Sequence, residues 1–178
     1  SASLAGMTPG APQSQAEGEV RFTSTLDPVA YCFIYEWNPV ATWSLNFNIE
    51  NFTKGMAIRV QLVNTANPDG VEFRFEDSEP AQTLDNGGFW IPDEKLTDYG
   101  YSVGLRLQMN SSKGCEAGYT VKVYSSQDIS TAALASTGQT IRFMLSDKAP
   151  AMGELSRTSG DLNEDIPFAI NVTKAGFL

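Results

Sequence analysis

The 178-residue sequence contains no histidine. That removes the commonest general base and metal ligand, and with them every Ser-His-Asp or Cys-His arrangement. Cysteine occurs only twice, too seldom for a four-cysteine zinc site but enough for one intramolecular disulfide. Cations are scarce as well, with 12 Lys and Arg against 21 Asp and Glu and a formal charge of −9. A phosphate backbone or an anionic lipid surface would be repelled, so no nucleic-acid partner is expected. No apolar run approaches the ~20 residues that span a bilayer, so no membrane insertion is expected. No secretory leader is visible, as in a mature form that has lost one. No long stretch shows a 3.6-residue apolar period, which argues against a helical bundle.

What the sequence does carry is alternation. In "TWSLNFNIEN", Trp43, Leu45, Phe47 and Ile49 alternate with Ser44, Asn46, Asn48 and Glu50. The pattern continues in "EVRFTSTL" (Val20, Phe22, Leu26), "MAIRVQLVN" (Met56, Ile58, Val60, Leu62) and "VEFRFED" (Val71, Phe73, Phe75). It recurs in "SVGLRLQM", "YTVKVYS", "TIRFMLS" and "IPFAINVT". Period-2 alternation is the mark of half-buried strands. About eight such strands, separated by turn residues, predict an all-β, antiparallel two-sheet sandwich around one core. "NPDG" at 67–70 and "DNGG" at 85–88 supply positive-φ turn chemistry. The Ala-rich "DISTAALAST" at 128–137 is expected to form one or two helical turns. The expected core holds Val20, Phe22, Trp43, Leu45, Phe47, Ile58, Val60, Leu105, Leu107, Val121, Phe143, Phe168 and Ile170.

The first 18 residues, "SASLAGMTPGAPQSQAEG", are small, polar and rich in Gly and Pro. Such a composition buries little, so residues 1–18 are read as a flexible extension and 19–178 as one sandwich domain. If the extension were drawn out straight, Ala2, Leu4, Gly6 and Thr8 would share a face. That makes it either a plain tail or a strand donated to another subunit.

Cys32 and Cys115 are the only possible pair, and a structural disulfide between them is expected. It would close a loop of ~80 residues and contribute ~4 kcal/mol in the chain-entropy model. Neither has redox spacing, and Glu116 beside Cys115 opposes a reactive thiolate. The Ser, Thr and Asn content suits an extracytoplasmic protein. Acidic residues gather at Glu72, Glu76, Asp77 and Glu79, and again at Asp93, Glu94 and Asp98. Paired carboxylates serve glycosidases and calcium sites, but nothing sets two of them at a working separation, and no EF-hand spacing occurs. They read as solvated charge; no catalytic residue, metal or cofactor is assigned. Asp85, Asn86, Phe89 and Trp90 form a candidate ligand site, with aromatic faces for a sugar ring and amide and carboxylate groups for its hydroxyls. Trp90 fits a core equally, and Trp37 and Trp43 share that ambiguity. Asn-x-Ser/Thr triplets at Asn51, Asn110 and Asn171 are near chance frequency.

"EGEVRFTSTLDPVAYC" resembles the first strand of bacterial chaperone–usher fimbrial subunits, in which a Gly-x-Val-x-Phe-x-Gly-x-Ile run precedes a cysteine. Gly18, Val20, Phe22, Leu26 and Cys32 fall near those places. "TLDPVAYCFIYEW" is similar to the same region of F4-like (K88-type) subunits, and "EDIPFAINV" looks like the Ile-Pro-Phe strand of pilin domains. Position 24 is Ser rather than Gly, Cys115 comes later than the family's second cysteine, and the chain ends "TKAGFL" without a penultimate Tyr.

The resemblance implies an immunoglobulin-like sandwich that lacks one strand, its groove filled by the extension of the next subunit. The donor would be Ala2, Leu4, Gly6 and Thr8, although Ile166, Phe168, Ile170 and Val172 make the stronger strand. It implies other fimbrial subunits, a periplasmic chaperone and an outer-membrane usher as partners, a host glycan or protein as possible receptor, and a place on the bacterial surface reached through the periplasm. The function expected is a non-enzymatic fimbrial subunit or adhesin. The alternatives are a free-standing secreted carbohydrate- or protein-binding sandwich and, on weaker grounds, a glycosidase.

Overall fold

The structure, a computed structural model, describes residues 18–63 and 70–146. Ten strands lie in that range: β1 (Arg21–Phe22), β2 (Val29–Ile34), β3 (Ala41–Glu50), β4 (Ala57–Val63), β5 (Val71–Arg74), β6 (Gly88–Trp90), β7 (Leu96–Asp98), β8 (Ser102–Ser111), β9 (Cys115–Tyr124) and β10 (Ala135–Leu145). One sheet runs β1-β3-β8-β5, with β7 also on β8; the other runs β2-β10-β9-β4-β6. The all-β, two-sheet sandwich read from the alternation is the architecture found. The pairings are antiparallel except for β2 with β10, which is parallel.

Alternation decides which residues meet between the sheets. Leu45, Phe47 and Ile49 of β3 and Leu105, Leu107 and Met109 of β8 are buried from one side. Ile58, Val60, Tyr119, Val121, Ile141 and Phe143 are buried from the other. Of the expected core, Val20, Phe22 and Trp43 are only partly buried and pack against its margin. Phe168 and Ile170, like the rest of the 166–172 segment and the Ala2–Thr8 face, lie outside the described residues.

Two expectations change. The segment 128–137 is not helical: it is a turn and bend that feeds β10 from Ala135, and a 3-10 turn is found instead at Asp93–Lys95. Gly138 allows β10 to lie close against β9, since a Cβ there would sit 2.5 Å from the Tyr119 carbonyl oxygen. β10 lies between β2 and β9, in register with both, so this sheet is completed from within the chain.

The second change concerns the cysteines. Cys32 and Cys115 are free. Cys32 is the register partner of Phe143 on one side of β10, and Cys115 is its partner on the other. Two ladder spacings put their Cα atoms ~10 Å apart, where a disulfide tolerates less than ~7 Å. The intervening strand prevents the bond. Burial pushes the Cys32 thiol above its usual pKa, and Cys115 Sγ lies 3.7 Å from Ser111 Oγ. Thiol titration of denatured, never-reduced protein is expected to find both cysteines reactive. Finding neither would restore the disulfide.

Candidate functional site

As formed by the described residues, the sandwich is open along one side, and the cause is the path of the chain after β1. Arg21 and Phe22 pair with Glu50 and Ile49, and Thr23 N–H donates to Asn48 O at 3.0 Å. The chain then leaves β3, passes Asp27-Pro28 and joins the opposite sheet as β2. Asp27-Pro28 is therefore the point at which the chain changes sheet. The Pro28 carbonyl, unable to serve β3, accepts from Thr140 N–H at 2.8 Å.

Among the described residues two strand edges have no neighbour. β2 is the margin of its sheet. β3 pairs with β8 along its whole length but with β1 only at its end, so no described strand covers its other edge from Ala41 to Phe47. Asn48 O points to the β1 side; by the two-residue alternation of backbone groups, those of Asn46, Ser44 and Thr42 point the same way. Among the described residues this row of backbone groups has no ladder partner.

Between these edges lies a groove of about 600 Å³. Leu26, Ala30, Trp43, Leu45 and Phe47 give it an apolar lining, and Asp27 is the one charged residue among the described residues on its wall. Two of its polar side chains, Tyr119 and Gln139, are engaged with each other. Tyr119 Oη donates to Gln139 Oε1 at 2.9 Å, and Gln139 Nε2 donates to the Asp27 carbonyl at 2.7 Å. Burial raises the Tyr119 pKa, which keeps the phenol neutral and able to donate. This lining suits an uncharged, extended segment that brings its own backbone hydrogen bonds.

The sequence candidates are placed differently. Asn86 (φ 53°) and Gly87 (φ 79°) form a tight turn closed by Asp85 N–H to Gly88 O at 2.7 Å and Gly88 N–H to Asp85 O at 3.1 Å. Phe89 then enters the core, tilted against Phe73 at 5.5 Å. Trp90, one residue on, takes the opposite face between Arg59, 5.2 Å from its ring centre, and Tyr124 at 5.6 Å. The four residues thus do not share one surface. Of the acidic residues, Glu72 pairs with Arg74 at 2.9 Å and Glu79 with Lys95 at 2.8 Å. Asn110 is buried, and the Asn51 amide donates to the Glu19 carbonyl at 2.7 Å.

The exposed tryptophan is Trp37, left open by the sequence reading. Tyr35 and Asn38 exchange two backbone hydrogen bonds, 3.1 and 3.0 Å, which put Glu36 and Trp37 at a hairpin tip. Trp37 is 79% exposed and stacks on Tyr35, with ring centres 5.0 Å apart and planes within 14°. Its polar neighbours Glu36, Asn38 and Pro39 were the signal that it does not belong to a core.

No family model and no curated protein matches the chain. Solved pilin and adhesin structures are among those it is similar to. The CooA pilin subunit from enterotoxigenic Escherichia coli is 12% identical with a TM-score of 0.44, over 71% of this chain and 96% of that one. The CupB6 tip adhesin from Pseudomonas aeruginosa is 9% identical with a TM-score of 0.38, over 70% of this chain and 43% of that one. WR4, an MSP family member of C. elegans, is 9% identical with a TM-score of 0.33, over 65% and 92%.

Proposed function

We propose that this chain is a non-enzymatic subunit of a bacterial surface fimbria, joined to its neighbour by an added strand. The observation that carries this is the uncovered edge of β3 beside an apolar groove. An unpaired edge of that length is a standing template for another chain, and monomeric proteins generally cover or charge theirs. The first-strand resemblance points the same way. Because β10 fills the place between β2 and β9, the donated strand is assigned to the seam between β2 and β3.

The occupant proposed is the 2–8 segment of a second copy. Residues 1–16 carry no charged side chain, which matches the groove. Ala2, Leu4, Gly6 and Thr8 would face inward, with Leu4 as the anchor and Gly6 at the closest backbone approach. Burial of Leu4 stabilises each junction by ~1.5–3 kcal/mol, beside the ladder bonds. Leu4→Asp is expected to abolish association and leave the domain's unfolding transition unchanged. Size exclusion with light scattering, with and without a peptide of residues 1–15, measures this. Two stable monomers that both ignore the peptide would overturn the reading and favour a free-standing binding module, which the exposed Trp37 would also suit.

A further inference from the structure

We infer that the two ends of the sandwich are the faces by which successive copies stack, the Trp37 hairpin of one copy seating on Tyr99 and Tyr101 of the next. This rests on the proposed fimbrial reading and names the contact that the added strand alone does not specify.

The exposed aromatic side chains of the described residues fall into two groups. At one end, Tyr35, Trp37 and Val40 are 37%, 79% and 47% exposed. At the other, Tyr99 and Tyr101 are 56% and 77% exposed. That the ends are opposite follows from register: Ala41, just after the hairpin, pairs with Ser111, whereas Glu50, at the far end of β3, pairs with Ser102. Both aromatic groups are held in place. The Trp37 hairpin is closed by the Tyr35–Asn38 bonds, and the Tyr99 turn by Tyr99 N–H to Ser102 O at 2.9 Å and by Gly100 N–H to the Asp98 carboxylate at 2.8 Å. Rigid, exposed aromatics lose little entropy on binding and are the usual anchors of protein contacts.

The path of the chain selects a second copy as the partner. Gly18 and Glu19 stand at the Tyr101 end, where the Asn51 amide holds the Glu19 carbonyl and Asn51 N–H donates to Tyr101 O. The extension of each copy therefore starts beside its own Tyr101. The uncovered edge of β3 begins at the other end, next to Trp37. If the Tyr101 end of one copy seats on the Trp37 end of another, residues 9–17 bridge up to ~30 Å. That delivers residues 2–8 to the seam, running antiparallel to β3. The contact joins two different surfaces, so it repeats without closing and generates a fibre.

The test uses the full chain with a photo-crosslinking phenylalanine in place of Trp37, and separately Trp37→Ala. Trp37 is at the surface, so both variants should melt as wild type does. Crosslinked peptides are expected to join position 37 of one copy to residues 99–101 of another. Trp37→Ala is expected to weaken association about 30-fold, as loss of an interface anchor does. If wild type and Trp37→Ala associate equally, or crosslinks map elsewhere, the stacking contact is wrong while the strand-addition reading stands. If wild type does not associate at all, that reading falls and this one with it. A glycan that quenches Trp37 fluorescence while association is indifferent to Trp37→Ala would assign the hairpin to receptor binding instead.

Discussion

Ile141→Asp is expected to leave no cooperative unfolding transition at neutral pH. Ile141 lies at the middle of β10, is 0% exposed, and has Ala30 of β2 and Ala117 of β9 as register partners. No charged group lies on that inner face to receive a carboxylate. The substitution loses the apolar transfer of the isoleucine and adds an unpaired polar group in a dry interior. Even protonated, such a group costs several kcal/mol, comparable with the whole stability of a domain of this size. Ile141→Val, which only removes a methylene, should cost ~0.5–1.5 kcal/mol. Arg142→Ala, on the outer face, loses a bridge to Glu116 between half-exposed side chains and should cost under ~1 kcal/mol. Circular dichroism and urea titration of the three variants separate these cases. A folded Ile141→Asp protein with a near-normal midpoint would mean that β10 does not complete the sheet and that the place between β2 and β9 is open.

That experiment bears on what the sequence could reveal. The fold class was legible because the inner and outer faces of β3 differ so cleanly: Leu45, Phe47 and Ile49 against Ser44, Asn46 and Asn48. β10 was legible only in part. "TIRFMLS" alternates, but the residues that open the strand, Ala135 to Gly138, have small side chains that carry no period and suit a helix as well as a strand. Tertiary pairing with β9 decided the matter. The cysteine pair failed for another reason. Composition shows that a bond is possible, whereas the strand order, which puts β10 between them, is a property of topology alone.

The groove was illegible for the same reason. Nothing in "TSTLDPVAY" reports that the chain changes sheet there, and an uncovered edge is defined by the absence of a neighbour. The Asp85–Trp90 site was undone by period 2 itself, since Phe89 and Trp90 are adjacent in a strand and must face opposite ways.

Phe47 offers a measure of how open that groove is. Its ring is 4% exposed, edge-on to Phe22 at 5.8 Å and to Tyr119 at 6.4 Å, and it also lines the groove. Truncation of a buried phenylalanine to alanine costs ~3–5 kcal/mol, part of it transfer and part the cavity left behind. For Phe47 the space would open into the groove, where water can enter, so the cavity part should be small and the cost should fall near 3 kcal/mol. Phe73 is 0% exposed, packed against Phe89, and does not line the groove. Phe73→Ala should therefore stand near the upper end, ~5 kcal/mol. Urea unfolding of both variants, read as midpoint shifts at constant slope, gives the difference. Equal costs would mean that the seam is closed in the isolated chain. A Phe47 cost below ~1 kcal/mol would mean that its side chain does not face the core at all. If the gap is as expected, a peptide of residues 1–15 should raise the midpoint of the wild type, since a ligand that binds only the folded state stabilises it by mass action. The rise should be smaller for Phe47→Ala, whose groove has lost part of the wall on which Leu4 would pack.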